Sequence, residues 1–192
     1  MDKHTSCFGS YQITSATCSL FCKYSNKCAN KSKQLAIMCG MPLSGKSTYA
    51  NLLQKEGWIV VCPDNIRLAL HGQQFVLSAE PFITGITHIT VKALIDRNQA
   101  VLVDATNLTH EKRLVWRNIA KEFSIPLKII LMDTPSEECV SRNERTTRHS
   151  PSLLEDMQLS FETLSPVEGP VYFISTDDVT SGHIPEGLKL NK

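Results

Sequence analysis

Eight consecutive residues, Gly40-Met41-Pro42-Leu43-Ser44-Gly45-Lys46-Ser47, set two glycines, a lysine and a hydroxyl at the spacing G-x-x-x-x-G-K-[ST]. That spacing suits one kind of chemistry, the holding of a phosphate chain. Glycines let the main chain bend so that its N–H groups converge on an anion, and a helix starting behind the bend adds the positive end of its dipole. Lys46 can reach the β- and γ-phosphates, and the Ser47 hydroxyl can sit on Mg²⁺. With Thr48, the segment is a candidate site for ATP and Mg²⁺.

Other residues could act on a phosphate held there. Cys62-Pro63-Asp64-Asn65-Ile66-Arg67 puts a carboxylate and a guanidinium three residues apart at the start of a predicted helix, on one face. Asp64 could orient or accept a proton from an attacking hydroxyl, or serve as an ordinary helix cap. Arg67 could fork an anionic group on the acceptor. Val101-Leu102-Val103-Asp104 is an apolar strand ending in an acid. Asp104 either supports Mg²⁺ with Ser47 or orients Arg67. Arg142, Arg145 and Arg148 lie near the end of another predicted helix. They are either dipole partners or mobile guanidinium groups that neutralise a transferring phosphoryl, with Arg142 and Arg145 on one face as the candidate lid arginines.

These positions need a scaffold, and the apolar runs supply one. Predicted strands lie at 35–39, 58–62, 100–103, 127–132 and 171–174, with the residues just before Leu35 leading into the first. Predicted helices lie at 46–56, 64–71, 79–97, 110–123, 136–148 and 151–164. The apolar faces expected on three of the helices are Phe82, Ile86, Ile89 and Leu94; Leu114, Trp116, Ile119, Ala120 and Phe123; and Leu153, Met157, Phe161 and Leu164. Ser136 is the expected cap of the fifth helix. Short buried strands alternating with helices give a three-layer α/β fold with a central, mostly parallel five-stranded sheet. In such sheets the site sits at the carboxyl ends of the strands, where the glycine loop, Asp64, Arg67 and Asp104 fall.

Composition bounds the rest. Of 192 residues 42% are hydrophobic, enough for a core, and no apolar run approaches the length of a membrane span. Residues 1–34 carry Lys3, Lys23, Lys27, Lys31 and Lys33 against Asp2, which leaves 15 of the 20 basic and 18 of the 19 acidic side chains to the remainder. The chain therefore reads as a basic, cysteine-rich extension (1–34) and a nucleotide-binding domain (35–192), whose charge does not favour polyanions as a whole. Without a secretory signal pattern in the first residues, a cytoplasmic setting is expected. Cys39, Cys62 and Cys139 read as small core hydrophobes. Cys7, Cys18, Cys22 and Cys28 are either a four-thiolate Zn or Fe–S site or incidental thiols, since their spacing matches no standard pattern. Residues 177–192 read as a polar end.

From Leu35 to about Leu164 the pattern resembles the P-loop kinases related to the phage polynucleotide 5′-hydroxyl kinase, a group of AAA-type ATP-binding proteins. The likeness rests on Gly40 to Thr48, on Asp64-Asn65-Ile66-Arg67, and on Asp104-Ala105-Thr106-Asn107-Leu108 followed by Glu111-Lys112-Arg113. It extends to Arg142-Asn143-Glu144-Arg145. It implies a general base at Asp64, an acceptor-phosphate arginine at Arg67, an acid at Asp104 that supports that arginine or the metal, and a lid arginine at Arg142 or Arg145. No phosphatase domain of the kind that often accompanies such kinases is expected, and the cysteine-bearing extension has no counterpart in the family pattern. Three functions follow. The chain is an ATP-dependent kinase of a polynucleotide 5′ end, a kinase of the same mechanism on a small metabolite or nucleoside, or a nucleotide-dependent switch without an acceptor.

Overall fold

The computed structural model describes residues 33–72 and 75–190. Five parallel strands form one sheet in the order β2-β3-β1-β4-β5. They are β1 (Gln34–Cys39), β2 (Ile59–Val61), β3 (Ala100–Val103), β4 (Leu127–Met132) and β5 (Val171–Ile174). The helices are α1 (Lys46–Glu56), α2 (Pro63–His71), α3 (Glu80–Asp96), α4 (His110–Glu122), α5 (Ser136–Thr146), α6 (Pro151–Leu159) and α7 (Thr176–Ser181). Among the described residues no helix is long and apolar enough to cross a membrane. Cys7, Cys18, Cys22 and Cys28, and any metal they hold, lie outside the described residues.

Strand alternation splits β1 between two cores. Leu35, Ile37 and Cys39 face α3 and α4 with Val101, Val103 and Ile129. Ala36 and Met38 face α1 with Leu102, Ile130 and Met132. The first of these cores takes Val91 and Ile95 of α3, with the expected Leu94 packed against it, but the rest of the inward stripe is not the expected one. Ile83, Thr87, Val91 and Ile95 are buried, while Phe82 and Ile89 are exposed. The α3 sequence is apolar almost all round, so periodicity does not fix which stripe turns inward. Thr87 can be buried because its hydroxyl donates to the Ile83 carbonyl at 2.7 Å. On α4, Trp116, Ile119 and Ala120 are buried as expected, with Leu114 at the surface.

Three further expectations are corrected. The sixth helix ends at Leu159, leaving Phe161 and Leu164 in the following loop. The fifth starts from Pro135, and Ser136 instead accepts from the Gln158 amide. The last residues are not a polar end. Leu188 and Leu190 are buried over the α1 side of the sheet, and the Trp58 indole donates to the Leu188 carbonyl at 2.8 Å.

Arg113 is fully buried on α4 and ties the turn after β3 to the far side of the domain. Its Nε donates to Glu168 at 2.6 Å, and its other nitrogens donate to the carbonyls of Asn107, Leu108 and Glu162. Burial pushes the Glu168 carboxyl up, but the hydrogen bonds from Arg113 and from the Ser165 N–H outweigh it and hold the group below its ordinary range. A depressed carboxylate stabilises the fold above its unfolded value and loses that contribution as pH falls through the folded value. Glu168→Gln leaves a buried guanidinium without its counter-charge, so it should cost about 3 kcal/mol at neutral pH. In urea melts of both proteins, the gap should narrow below about pH 4.

Candidate active site

The strand order brings the named residues together. β3 lies beside β1, so Asp104, just past the end of β3, faces the loop that follows β1. β2 lies beside β3, so α2 delivers Asp64 and Arg67 from that flank. β4 lies on the other side of β1, so α5 delivers Arg142 from the opposite flank.

The loop has a shape that its sequence requires. Gly40 has φ 146° and Gly45 φ 94°, and Leu43 also takes a positive φ of 64°. A Cβ on Gly40 would come within 3.0 Å of the Met132 Cβ and 3.2 Å of the Ser44 Oγ. Helix α1 begins at this bend with no side-chain cap, so its first-turn N–H groups face the loop. Thr134 pins the bend from the β4–α5 turn, donating to the Ser44 carbonyl at 2.9 Å.

Lys46 is buried, and its ammonium donates to the Gly40 carbonyl at 3.1 Å and the Met41 carbonyl at 2.5 Å. Burial pulls its pKa down, against the charge of Asp104 and, more weakly, of Asp64. Asp104 is also buried, and burial raises its pKa. The Ser47 hydroxyl and the Lys46 charge oppose that rise, and the like charge of Asp64 adds to it. Lys46, Ser47, Asp64 and Asp104 therefore share one electrostatic site. Thr48 is solvent-exposed.

Asp64 sits in the first turn of α2 with no capping bond of its own; the cap position is Cys62. Its carboxylate is largely exposed and pairs with Arg67 one turn on. Arg67 is bound differently from either expected arrangement. Glu80, the first residue of α3, forks its guanidinium, accepting from Nε at 2.7 Å and from Nη2 at 2.6 Å. The hydrogen bond from Arg67 holds the Glu80 carboxyl below its ordinary range. Arg67 is thus oriented by Glu80 and not by Asp104. The sequence carried only a faint signal for this, an acid at a helix start that a dipole would attract in any case.

Of the two candidate lid arginines, the fold brings Arg142 to the loop. Its Nη1 donates to the Leu43 carbonyl at 2.8 Å and its Nη2 to Glu138 at 2.5 Å. Arg145 is exposed and donates to Ser141 within its own helix; Arg148 is exposed as well. Asn107, in the polar turn after Asp104, is buried structure. It donates to the Met38 carbonyl at 2.7 Å and accepts from the Trp116 indole at 3.0 Å.

The residues present fit a bound triphosphate. The Ser44 hydroxyl is buried inside the bend without a hydrogen-bond partner. An ammonium beside it rests on two carbonyls, and both await an acceptor of negative charge.

A profile of the family described as AAA domain matches residues 35–164. The chain belongs to that family. It is 27% identical over 155 residues to an L-seryl-tRNA(Sec) kinase of Methanococcus maripaludis, covering 76% of this chain and 58% of that one. It is 28% identical over 112 residues to a bifunctional polynucleotide phosphatase/kinase of Schizosaccharomyces pombe, covering 58% and 24%. The chain thus spans well under two thirds of either relative. A solved Pnkp1/Rnl/Hen1 complex aligns with TM-score 0.55 and 28% identity over 63% of this chain and 40% of that one. The APS kinase of Mycobacterium tuberculosis, solved with AMPPNP and APS, shares the fold at TM-score 0.59 and 19% identity, over 76% and 90%.

Removing an unpaired buried hydroxyl relieves a cost. Ser44→Ala should therefore leave the stability of the nucleotide-free protein unchanged or raise it by about 1 kcal/mol. The same variant should gain less in Tm from added Mg·ATP than the wild type does. Paired thermal melts with and without nucleotide check both signs.

Proposed function

We propose that the chain is an ATP-dependent kinase that transfers the γ-phosphoryl group to a hydroxyl, with a polynucleotide 5′ end as its acceptor. One observation carries the reading. A phosphate loop with a buried lysine, after β1, and an acceptor-side Asp–Arg pair, after β2, approach a single site from the two sides of β3. A switch or simple ATPase has no use for the second half of that arrangement. The names of both relatives support a kinase, and that of the polynucleotide phosphatase/kinase supports the acceptor.

In the proposed reaction the loop amides and Lys46 hold the triphosphate. A magnesium ion bound with it would be held through Ser47 beside Asp104 and would screen the phosphate charge. Asp64 orients the acceptor hydroxyl and takes its proton as the oxygen bonds to the γ-phosphorus. The bond from that phosphorus to the β–γ bridging oxygen breaks, and ADP leaves with the electron pair. Little covalent work is asked of the protein in such a loose transfer, so position and charge dominate. Arg67 binds an anionic group of the acceptor. Arg142, already on the Leu43 carbonyl, needs only to exchange one oxygen partner for another to meet the transferring phosphoryl.

The test is ATP labelled at the γ-phosphate, offered with a 5′-hydroxyl oligonucleotide, with a nucleoside panel, with seryl-tRNA and with no acceptor. Label on the oligonucleotide, lost in Lys46→Ala, is the expected result. Asp64→Ala should lower transfer by about 10²- to 10⁴-fold with ATP binding retained. Arg142→Ala should lower kcat by about 10²-fold and ATP affinity by less, while Arg145→Ala changes little. Label found only as free phosphate would contradict the kinase reading, and label on a nucleoside alone would move the acceptor to small molecules.

A further inference from the structure

We infer that Glu80 is a positioning residue of the acceptor side. Through Arg67 it fixes how the acceptor's anion is met, and it keeps that arginine from gripping both oxygens of Asp64. The inference deepens the proposed kinase activity and rests on it.

Glu80 lies 13 residues beyond Arg67, on a different helix, and both of its oxygens engage the guanidinium, at 2.7 and 2.6 Å. A lone acid in a first helical turn is only a partner for the dipole. A two-point fork between two helices also sets the plane and direction of the group it grips. A guanidinium has five N–H donors in that plane. Glu80 takes two and Asp64 one, so two remain, one on each terminal nitrogen, for an anion on the acceptor.

Exposure separates the members of the cluster. The Arg67 and Glu80 side chains are only 17% and 22% accessible, while Asp64 is 69% accessible. The Arg67–Glu80 pair is held in the structure, and the candidate base, bonded to Arg67 through Oδ1, is the more exposed partner. Without Glu80 the nearest anion to Arg67 is Asp64, one turn back on its own helix. A two-point pair with Asp64 would turn the spare donors away from the acceptor. It would also occupy the oxygens that must receive the hydroxyl proton. One carboxylate therefore serves two ends, aiming the arginine and leaving the second oxygen of the aspartate available.

The experiment uses the full chain in steady state with Mg·ATP and a short 5′-hydroxyl oligonucleotide. In Glu80→Ala the acceptor KM should rise about 10- to 100-fold, the loss expected for charge-assisted hydrogen bonds, with the KM for ATP within about twofold of wild type. Glu80→Gln keeps the shape and one accepting oxygen and should recover part of the acceptor KM, whereas Glu80→Leu should not. A purely structural role would raise both KM values together or lower only the amount of folded protein. Either pattern overturns the inference, as does an unchanged acceptor KM. If Glu80→Ala does not fold, Glu80→Gln decides: a raised acceptor KM with the ATP value unmoved supports it, and wild-type values for both overturn it. Transfer by the wild type with indifferent variants removes only the role of Glu80. A wild type that transfers nothing to any hydroxyl removes the kinase reading and the inference together.

Discussion

A buried ammonium without a carboxylate of its own is the constraint from which the site follows. Lys46 is removed from water, and among the described residues its hydrogen-bond partners are two carbonyls of its own loop. Carbonyl dipoles compensate a buried cation only in part, which is why burial pulls the Lys46 pKa down. The remaining deficit sits at the mouth of a bend whose helix is uncapped and whose one buried hydroxyl is unpaired. Each of these would be a defect in an ordinary turn. Together they describe a place where negative charge is missing. The fold tolerates the defect because the bend is gripped from all sides: by Met132 against Gly40, by Thr134 on the Ser44 carbonyl, and by Thr106, whose carbonyl accepts from the Gly40 N–H.

What could be read from the sequence is what depends on local chain chemistry. The glycine bend, the five strands and the placement of Asp104 at a strand end all come from runs of fewer than ten residues with a single structural solution. The partner of Arg67 was not legible, because Glu80 meets it through the packing of α2 on α3, which no local pattern encodes. The inward stripe of α3 was hidden by its nearly uniform apolarity, and Leu188 and Leu190 by their isolation among polar residues. Lys112 and Arg113 looked alike on paper. Register alone sends Arg113 inward to Glu168 and leaves Lys112 in solvent. Arg142 and Arg145 share a helix face by spacing, yet a single turn along α5 carries Arg145 beyond the loop.

The two arginines at the site differ in how firmly they are held, and the difference matches what each would do. Arg67 is forked at two points by a carboxylate that is itself mostly buried, so its direction is set before any acceptor arrives. Arg142 is held by one loop carbonyl and by Glu138 one turn back, a half-buried i,i+4 pair within one helix, of the kind worth about 0.5 kcal/mol. It can therefore leave its present partners at little cost. Its helix is less free. Asn143, the next residue, is buried and bonds both the N–H and the carbonyl of His149, and Thr147 turns the chain back in the left-handed region. The α5–α6 corner is thus closed as a unit behind Arg142, and the freedom is confined to the guanidinium. An acceptor that must be recognised calls for a fixed donor array. A phosphoryl group whose charge moves during transfer calls for one that can follow it. A kinase with both held rigidly would bind its ground state as well as its transition state, and one with both loose would lose the orientation on which the rate depends.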